Sequence, residues 1–176
     1  MAAVSDVEVV RVGPEEWREF REVRLAALAD APGAFGSRHE DWVEADEQRW
    51  RSRVGDVALN LLARRDGRPV GLVSGTEPAE PGGSVELISM WVAPGLRGTG
   101  LAGRLIAGVV TWAAAHGHPT SLMVRDDNHG AIRSYLRAGF VDLGVPADWP
   151  QDEPAERRMR HDGTGGPDVP GAPATG

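Results

Sequence analysis

The stretch Arg97-Gly98-Thr99-Gly100-Leu101-Ala102-Gly103 holds the residues whose types and spacing most readily bind a charged group. Its glycines let backbone N–H groups approach a diphosphate with no Cβ in the way. Where such a loop opens a helix, the N–H groups also carry the positive end of the helix dipole. Arg97 adds a full charge beside them. The glycines alone leave three readings open. The loop is a phosphate cradle, a tight strand-to-helix turn that binds nothing, or the Gly-x-Gly-x-x-Gly fingerprint of a dinucleotide site. In the last case Asp126 falls near the place of a ribose-binding acid, and the protein would be a nicotinamide-dependent oxidoreductase.

Several chemistries are closed by composition. The chain of 176 residues has no cysteine, and all 19 of its basic residues are arginine. Disulfides, thiolate metal sites and a cysteine nucleophile are therefore excluded, as are a Walker-A phosphate loop and a Schiff-base lysine. His39, His116, His118, His129 and His161 form no metal-like spacing with acids on one element, so no metal is expected. No Ser-His-Asp arrangement is suggested by context either.

The loop must be held by the elements on each side of it. Val85 to Val92 (VELISMWV) reads as a strand, and Gly100 to His116 as a helix with Leu101, Leu105, Val109 and Trp112 at period 3.6. Upstream, Val7 to Val12 reads as a first strand, and Gly13-Pro14-Glu15-Glu16 as a helix start. Trp17, Phe20, Val23, Ala27 and Leu28 follow at helical spacing. A second helix is expected from about His39 to Val54, burying Trp42, Ala45, Trp50 and Val54. Val57–Ala63 and Pro69–Thr76 read as a hairpin around Asp66-Gly67. Downstream come a strand at Thr120–Arg125, a short helix at Asn128–Ala138, and two final strands at Phe140–Leu143 and Arg157–His161. The sum is an α/β fold of mixed type, one domain over residues 1–161, with a disordered tail expected over 162–176.

Two motifs in this frame resemble a known family. Val92-Ala93-Pro94 followed by Arg97-x-x-Gly100-x-Ala102 is similar to the acetyl-CoA signature of the GNAT N-acetyltransferase superfamily. Asn128-x-x-Ala131-x-x-x-Tyr135-x-x-x-Gly139-Phe140 resembles that family's second cofactor segment. Both occur in order, separated by a helix and a strand. The resemblance covers about residues 6 to 161, with its sharp part between Glu86 and Phe140. It implies a central mixed, mostly antiparallel sheet with a splayed parallel pair, flanked by about four helices. It also implies acetyl-CoA as co-substrate and a direct transfer of the acetyl group to a primary amine.

Residue by residue, the resemblance implies that Met90 and Val92 bind the pantetheine arm through main-chain groups, like an added strand. The N–H groups along Gly98, Thr99, Gly100, Leu101, Ala102 and Gly103 would hold the pyrophosphate, beside Arg97. Asn128 would contact the cofactor arm, although an N-cap role alone explains it. Tyr135, the only tyrosine in the chain, would protonate the departing thiolate, or merely pack its ring. Glu86 would take the proton of an ammonium substrate, or stand as an exposed strand-start glutamate. Ser89 is expected on the opposite face of the strand from Glu86. A domain that binds acetyl-CoA without chemistry is the other reading of the same motifs.

The acceptor side is read less sharply. By analogy it is lined by the two N-terminal helices, by Ala34-Phe35-Gly36, and by residues 144–153 with Trp149, Asp148, Asp152 and Glu153. The formal net charge of −7 argues against a nucleic-acid partner. No window approaches 18 uncharged apolar residues, so no membrane span is expected, and the N-terminus lacks the pattern of a signal peptide. A cytoplasmic location follows by elimination, and a homodimer is left open.

Overall fold

The structure is a computed structural model, and it describes residues 6–163. Along the chain run β1 (Val7–Arg11), α1 (Trp17–Asp30), α2 (Glu40–Val43), α3 (Glu47–Gly55), β2 (Leu59–Arg65), β3 (Arg68–Gly75), β4 (Val85–Val92), α4 (Leu101–Ala115), β5 (Thr120–Arg125), α5 (His129–Arg137), β6 (Val141–Asp142) and β7 (Glu156–His161). The seven strands form one sheet in the order β1-β2-β3-β4-β5-β7-β6. Every pairing is antiparallel except β4 with β5. A doubly wound dinucleotide fold needs a succession of parallel strands, so this topology rejects the oxidoreductase reading. Asp126, its expected ribose ligand, forms an ion pair with Arg157 instead.

Each face of the sheet buries its own core. On one side α4 contributes Leu101, Leu105, Ile106, Val109 and Ala113, packed with Val85, Leu87, Leu122 and Met159. On the other, Phe20, Val23 and Ala27 of α1 and Trp50 and Val54 of α3 pack on Leu62, Leu72 and Trp91. Phe20 and Trp50 are fully buried. Truncating either to alanine should cost about 3–5 kcal/mol.

The helix expected over residues 39–54 is broken in two, which raises the helix number from about four to five. Asp46 causes the break. It sits in extended conformation and its carboxylate accepts from the Arg49 N–H at 2.8 Å, a local bond that competes with continuing the α2 helix. Trp42 still reaches across the break to pack at a tilt on Trp50, with ring centroids 4.8 Å apart. The expected disordered tail lies outside the described residues apart from Asp162 and Gly163. Asp162 pairs with Arg160 at 2.7 Å, and Gly163 donates its N–H to His161 Nδ1 at 3.0 Å.

Two irregularities in β4 open the sheet. The parallel ladder to β5 holds only Val85 against Thr120 and Glu86 against Ser121, although both strands continue for several residues. Beyond Glu86 the two strands therefore diverge. On the other edge, the register with β3 passes from Leu72–Trp91 to Ser74–Ile88, so Val73 faces both Ser89 and Met90. This is a β-bulge, and Ser89 occupies it with φ +58°.

Candidate active site

The divergence of β4 from β5 produces a cleft of about 1930 Å³. The helix α4 starts at one wall of it. Gly100 is the N-cap of that helix with φ +89°, and Gly98 has φ +76°. A side chain at either position would be strained, because the left-handed region costs an L-residue roughly 1–2 kcal/mol. Gly103 is different: it is helical, and a Cβ added there meets nothing within 4 Å. At all three glycines that space is open, and all three line the cleft. A concave run of N–H groups at a helix N-terminus with open space before it fits a pyrophosphate.

Arg97, Ala102, Met90, Val92 and Asn128 also line the cleft, whereas Thr99 and Leu101 do not. The Leu101 side chain is in the core, and the Thr99 hydroxyl donates to the Leu96 carbonyl at 2.6 Å, closing the turn. Any contact from these two residues to a ligand would be through the main chain. Asn128 caps α5, its Oδ1 accepting from Ala131 N–H at 3.2 Å. Arg97 is partly engaged by the protein itself. Its Nε donates to the Val92 carbonyl at 3.1 Å, and its guanidinium pairs with Asp30 at the end of α1. Asp30 also accepts from Trp91 Nε1 at 2.9 Å. These two donors, Trp91 first and Arg97 second, hold the Asp30 carboxyl below the usual carboxylate range.

Tyr135 and Glu86 both reach this cleft. Tyr135 is 6% exposed, packed on Phe140 with ring centroids 5.6 Å apart. Burial pushes its phenol pKa up, so it holds its proton at any physiological pH. Among the described residues no group hydrogen-bonds its hydroxyl, which leaves that proton available to a ligand. Glu86 is half-buried, and its Oε1 accepts from the Ser121 hydroxyl at 2.7 Å. That bond comes from the last paired residue of β5, where the strands begin to part.

Ser89 is not on the opposite face from Glu86. Val85 and Leu87 join the α4 core, so Glu86 points to the α1–α3 side. The bulge at Ser89 resets the alternation, and its hydroxyl meets Arg53 of α3 at 3.1 Å, on that same side. Trp91, beyond the bulge, accordingly packs with α1 and α3.

The α1–α3 wall holds two residues that the sequence reading passed over. Arg24 is 7% exposed and lines the cleft, with its guanidinium stacked 4.6 Å from the Phe35 ring centroid. Arg53 lines it too, donating to Asn60 Oδ1 at 3.3 Å as well as to Ser89. The signal was present: Phe20, Val23, Arg24, Ala27 and Leu28 are spaced as one apolar stripe, and an arginine stands in it. Of the expected acceptor-side segments, Ala34, Phe35 and Gly36 line the cleft. Asp148, Asp152 and Glu153 do not, and all three are exposed.

Known proteins that the chain matches share its fold. Residues 15–140 match the acetyltransferase (GNAT) family. The chain belongs to that family. A comparison with curated proteins gave no match. Among solved structures, a GNAT-family acetyltransferase from Streptococcus pneumoniae superposes with a TM-score of 0.71 at 19% identity, covering 88% of this chain and 97% of that one. The PaiA N-acetyltransferase of Thermoplasma acidophilum, solved with coenzyme A, gives 0.67 at 16% identity over 88% and 98%. A spermidine N-acetyltransferase chimera from Vibrio cholerae and hSSAT gives 0.64 at 20% identity over 89% and 95%. At these identities the structural likeness establishes the fold. Of these fold neighbours, the PaiA enzyme is the one whose structure holds coenzyme A. Among the described residues no His, Cys, Asp or Glu cluster could hold a metal ion, and no helix is long and apolar enough to cross a membrane.

Proposed function

We propose that this GNAT protein is an N-acetyltransferase that moves the acetyl group of acetyl-CoA directly to a primary amine. The observation that carries the reading is the convergence of three things on one cleft: the glycine cradle, Tyr135 and Glu86. Acetyl-CoA supplies an activated acyl group whose sulfur leaves as a thiolate. The chain's own residues do the rest. The N–H groups of Gly98 to Gly103 hold the diphosphate, with Met90 and Val92 offering main-chain groups to the arm. Glu86 takes a proton from the incoming ammonium, so that a neutral amine nitrogen forms the new C–N bond. Tyr135 gives its proton to the sulfur as the C–S bond breaks, and the second proton shed by the acylated nitrogen restores the phenol. Burial penalises phenolate and thiolate alike, so a phenol of ordinary pKa near 10 stays matched to a thiolate in the same surroundings.

Direct transfer is favoured by the composition, since no cysteine is present to carry the acetyl group. The same fact makes the test clean. Every thiol that appears on incubation with acetyl-CoA is released coenzyme A. The protein should release thiol from acetyl-CoA only when an amine is added, with one N-acetylated product per thiol. Acetyl-CoA that binds and stabilises the fold, with no release across a broad amine panel, would instead make this a binding domain.

A further inference from the structure

Arg24 and Arg53 have no counterpart in the chemistry assigned so far. Both residues line the cleft on the acceptor side of β4. Among the described residues neither has a carboxylate within ion-pair distance. Arg24 Nη1 is buried and has no hydrogen-bond partner. Arg53 is held in place from behind: Asn60 Oδ1 accepts from it at 3.3 Å and from the Ser74 hydroxyl at 2.8 Å, while Asn60 Nδ2 donates to the Val54 carbonyl at 2.9 Å. In front, Arg53 donates to Ser89 Oγ at 3.1 Å, leaving the Ser89 proton free for another acceptor. Ser89 is presented there by its strained bulge.

A buried cation beside a half-buried one, with no anion between them, is costly. Burial lowers the pKa of both; for Arg24 repulsion by Arg53 adds to it, bringing the value to about 10. Arginine is too basic to lose its proton in a protein near neutral pH, so both stay charged. Their stacking on Phe35 and Phe20 fixes their planes but neutralises no charge. A fixed pair of guanidinium forks and a spare hydroxyl proton match one kind of ligand, an oxyanion with several acceptor lone pairs.

We infer that Arg24, Arg53 and Ser89 bind an oxyanion carried by the acceptor, so that the substrate is an amine bearing a carboxylate or phosphate group. The inference rests on the acetyltransferase reading and narrows its substrate class. Glu86 lies three residues before Ser89 on the same side of β4, a separation of up to ~10 Å. A molecule the size of an amino acid, hydrogen-bonded at each end, spans roughly that length. Its ammonium would face Glu86 and its anion the arginines, with the mouth of the diverging strands between them.

The test compares matched amines in the thiol-release assay with acetyl-CoA. One arm holds the α-amino acids beside their α-amides. A second holds O-phosphoethanolamine beside ethanolamine. A third holds spermidine, an amine without an anion. At least one anion-bearing amine should be acetylated with kcat/KM at least 100-fold above its uncharged partner. Whichever arm responds identifies the anion as carboxylate or phosphate. In that reaction Arg53→Gln and Arg24→Met should each raise the acceptor KM at least tenfold and leave the KM for acetyl-CoA unchanged. Arg24→Met should also raise the Tm of the ligand-free protein, because it removes a buried unpaired charge. Arg53→Lys guards against misfolding: it keeps the charge and loses the fork, and should recover part of the acceptor KM. Amides or spermidine reacting as well as the charged amines would overturn the inference while leaving the acetyltransferase reading intact. A panel in which no anion-bearing amine reacts would overturn it too. Failure of acetyl-CoA itself to bind would remove the broader reading first, and that is seen separately in the thermal shift with acetyl-CoA alone.

Discussion

The two sides of β4 recognise what they face by different means. Toward α4 the polar groups offered to the cleft are backbone N–H groups, exposed by glycines whose missing side chains leave open space. Toward α1 and α3 they are side chains, Glu86, Ser89, Arg24 and Arg53, set among aromatic rings. Ser89 is the hinge between these two modes, since its bulge lets one strand keep Glu86 and Ser89 on one side and still turn Trp91 into the core of that side. A backbone site is indifferent to side-chain identity and suits a ligand that never changes. A side-chain site can be rewritten residue by residue, which suits an acceptor that differs between relatives.

The sharpest way to break this contrast is at Tyr135, where the cofactor side has a side chain that should act chemically. Tyr135→Phe keeps the ring and its contact with Phe140, and removes a hydroxyl that no described group bonds. Stability and acetyl-CoA affinity should be unchanged, while kcat falls about 10²–10⁴-fold, the usual span for a general acid. Wild-type turnover by this variant would reduce Tyr135 to packing.

The backbone half of the contrast is tested at Gly103. It is helical and faces open space, so Gly103→Leu should keep or raise the Tm of the apo protein, since glycine inside a helix costs roughly 0.5–1 kcal/mol. The new side chain fills the cradle, and acetyl-CoA affinity should fall at least 100-fold, about 2.7 kcal/mol. Calorimetric titration with acetyl-CoA reads this directly. Gly100 would be a poorer probe, because its φ of +89° adds strain to any substitution. Unchanged affinity in Gly103→Leu would move the pyrophosphate elsewhere.

What the sequence disclosed follows the same division. A site made of backbone leaves a spacing pattern, because glycines must stand where the chain turns left-handed or comes close to a ligand. Arg97 to Gly103 and Asn128 to Phe140 therefore showed themselves, and so did β4, α4 and β5, whose apolar periods are regular. The side-chain site left only an exception to a pattern, Arg24 within the α1 stripe and Arg53 next to Trp50 and Val54. Nothing local marks such an arginine as facing a cleft. The bulge at Ser89 and the break at Asp46 were hidden for a related reason. The first depends on a register between two distant strands, and the second on one short capping bond outweighing a helical period.

On the acceptor side, Glu86→Gln sharpens the comparison by removing a charge with little change of shape. Its bond from Ser121 can persist, because the amide keeps one acceptor oxygen. If Glu86 takes the ammonium proton, the variant should lose about 10–100-fold in kcat/KM near neutral pH, within or just below the general-base range. The loss should shrink as pH approaches the pKa of the acceptor amine, where free base is already abundant. A pH–rate profile parallel to that of the wild type would assign the proton to water.

The smallest effect is expected where the two sides meet, at the ion pair of Asp30 on α1 with Arg97 on the cofactor loop. Arg97 is half exposed, so solvent screens the pair, and such pairs contribute about 0–1 kcal/mol. The Trp91 N–H is the larger reason that the Asp30 carboxyl is held below its ordinary range. A depressed carboxylate stabilises the fold above its unfolded pKa near 3.9, and that stability is lost as pH falls through the lower folded value. Asp30→Asn can still accept from Trp91 but does not titrate. The Tm difference between wild type and Asp30→Asn should therefore be a few degrees at most at pH 7, and should shrink steadily as pH falls below about 4. The variant also releases the Arg97 guanidinium toward the glycine cradle, so acetyl-CoA affinity should hold or rise slightly. A marked loss of affinity would show that Asp30, from the acceptor side, is what aims Arg97 at the cofactor.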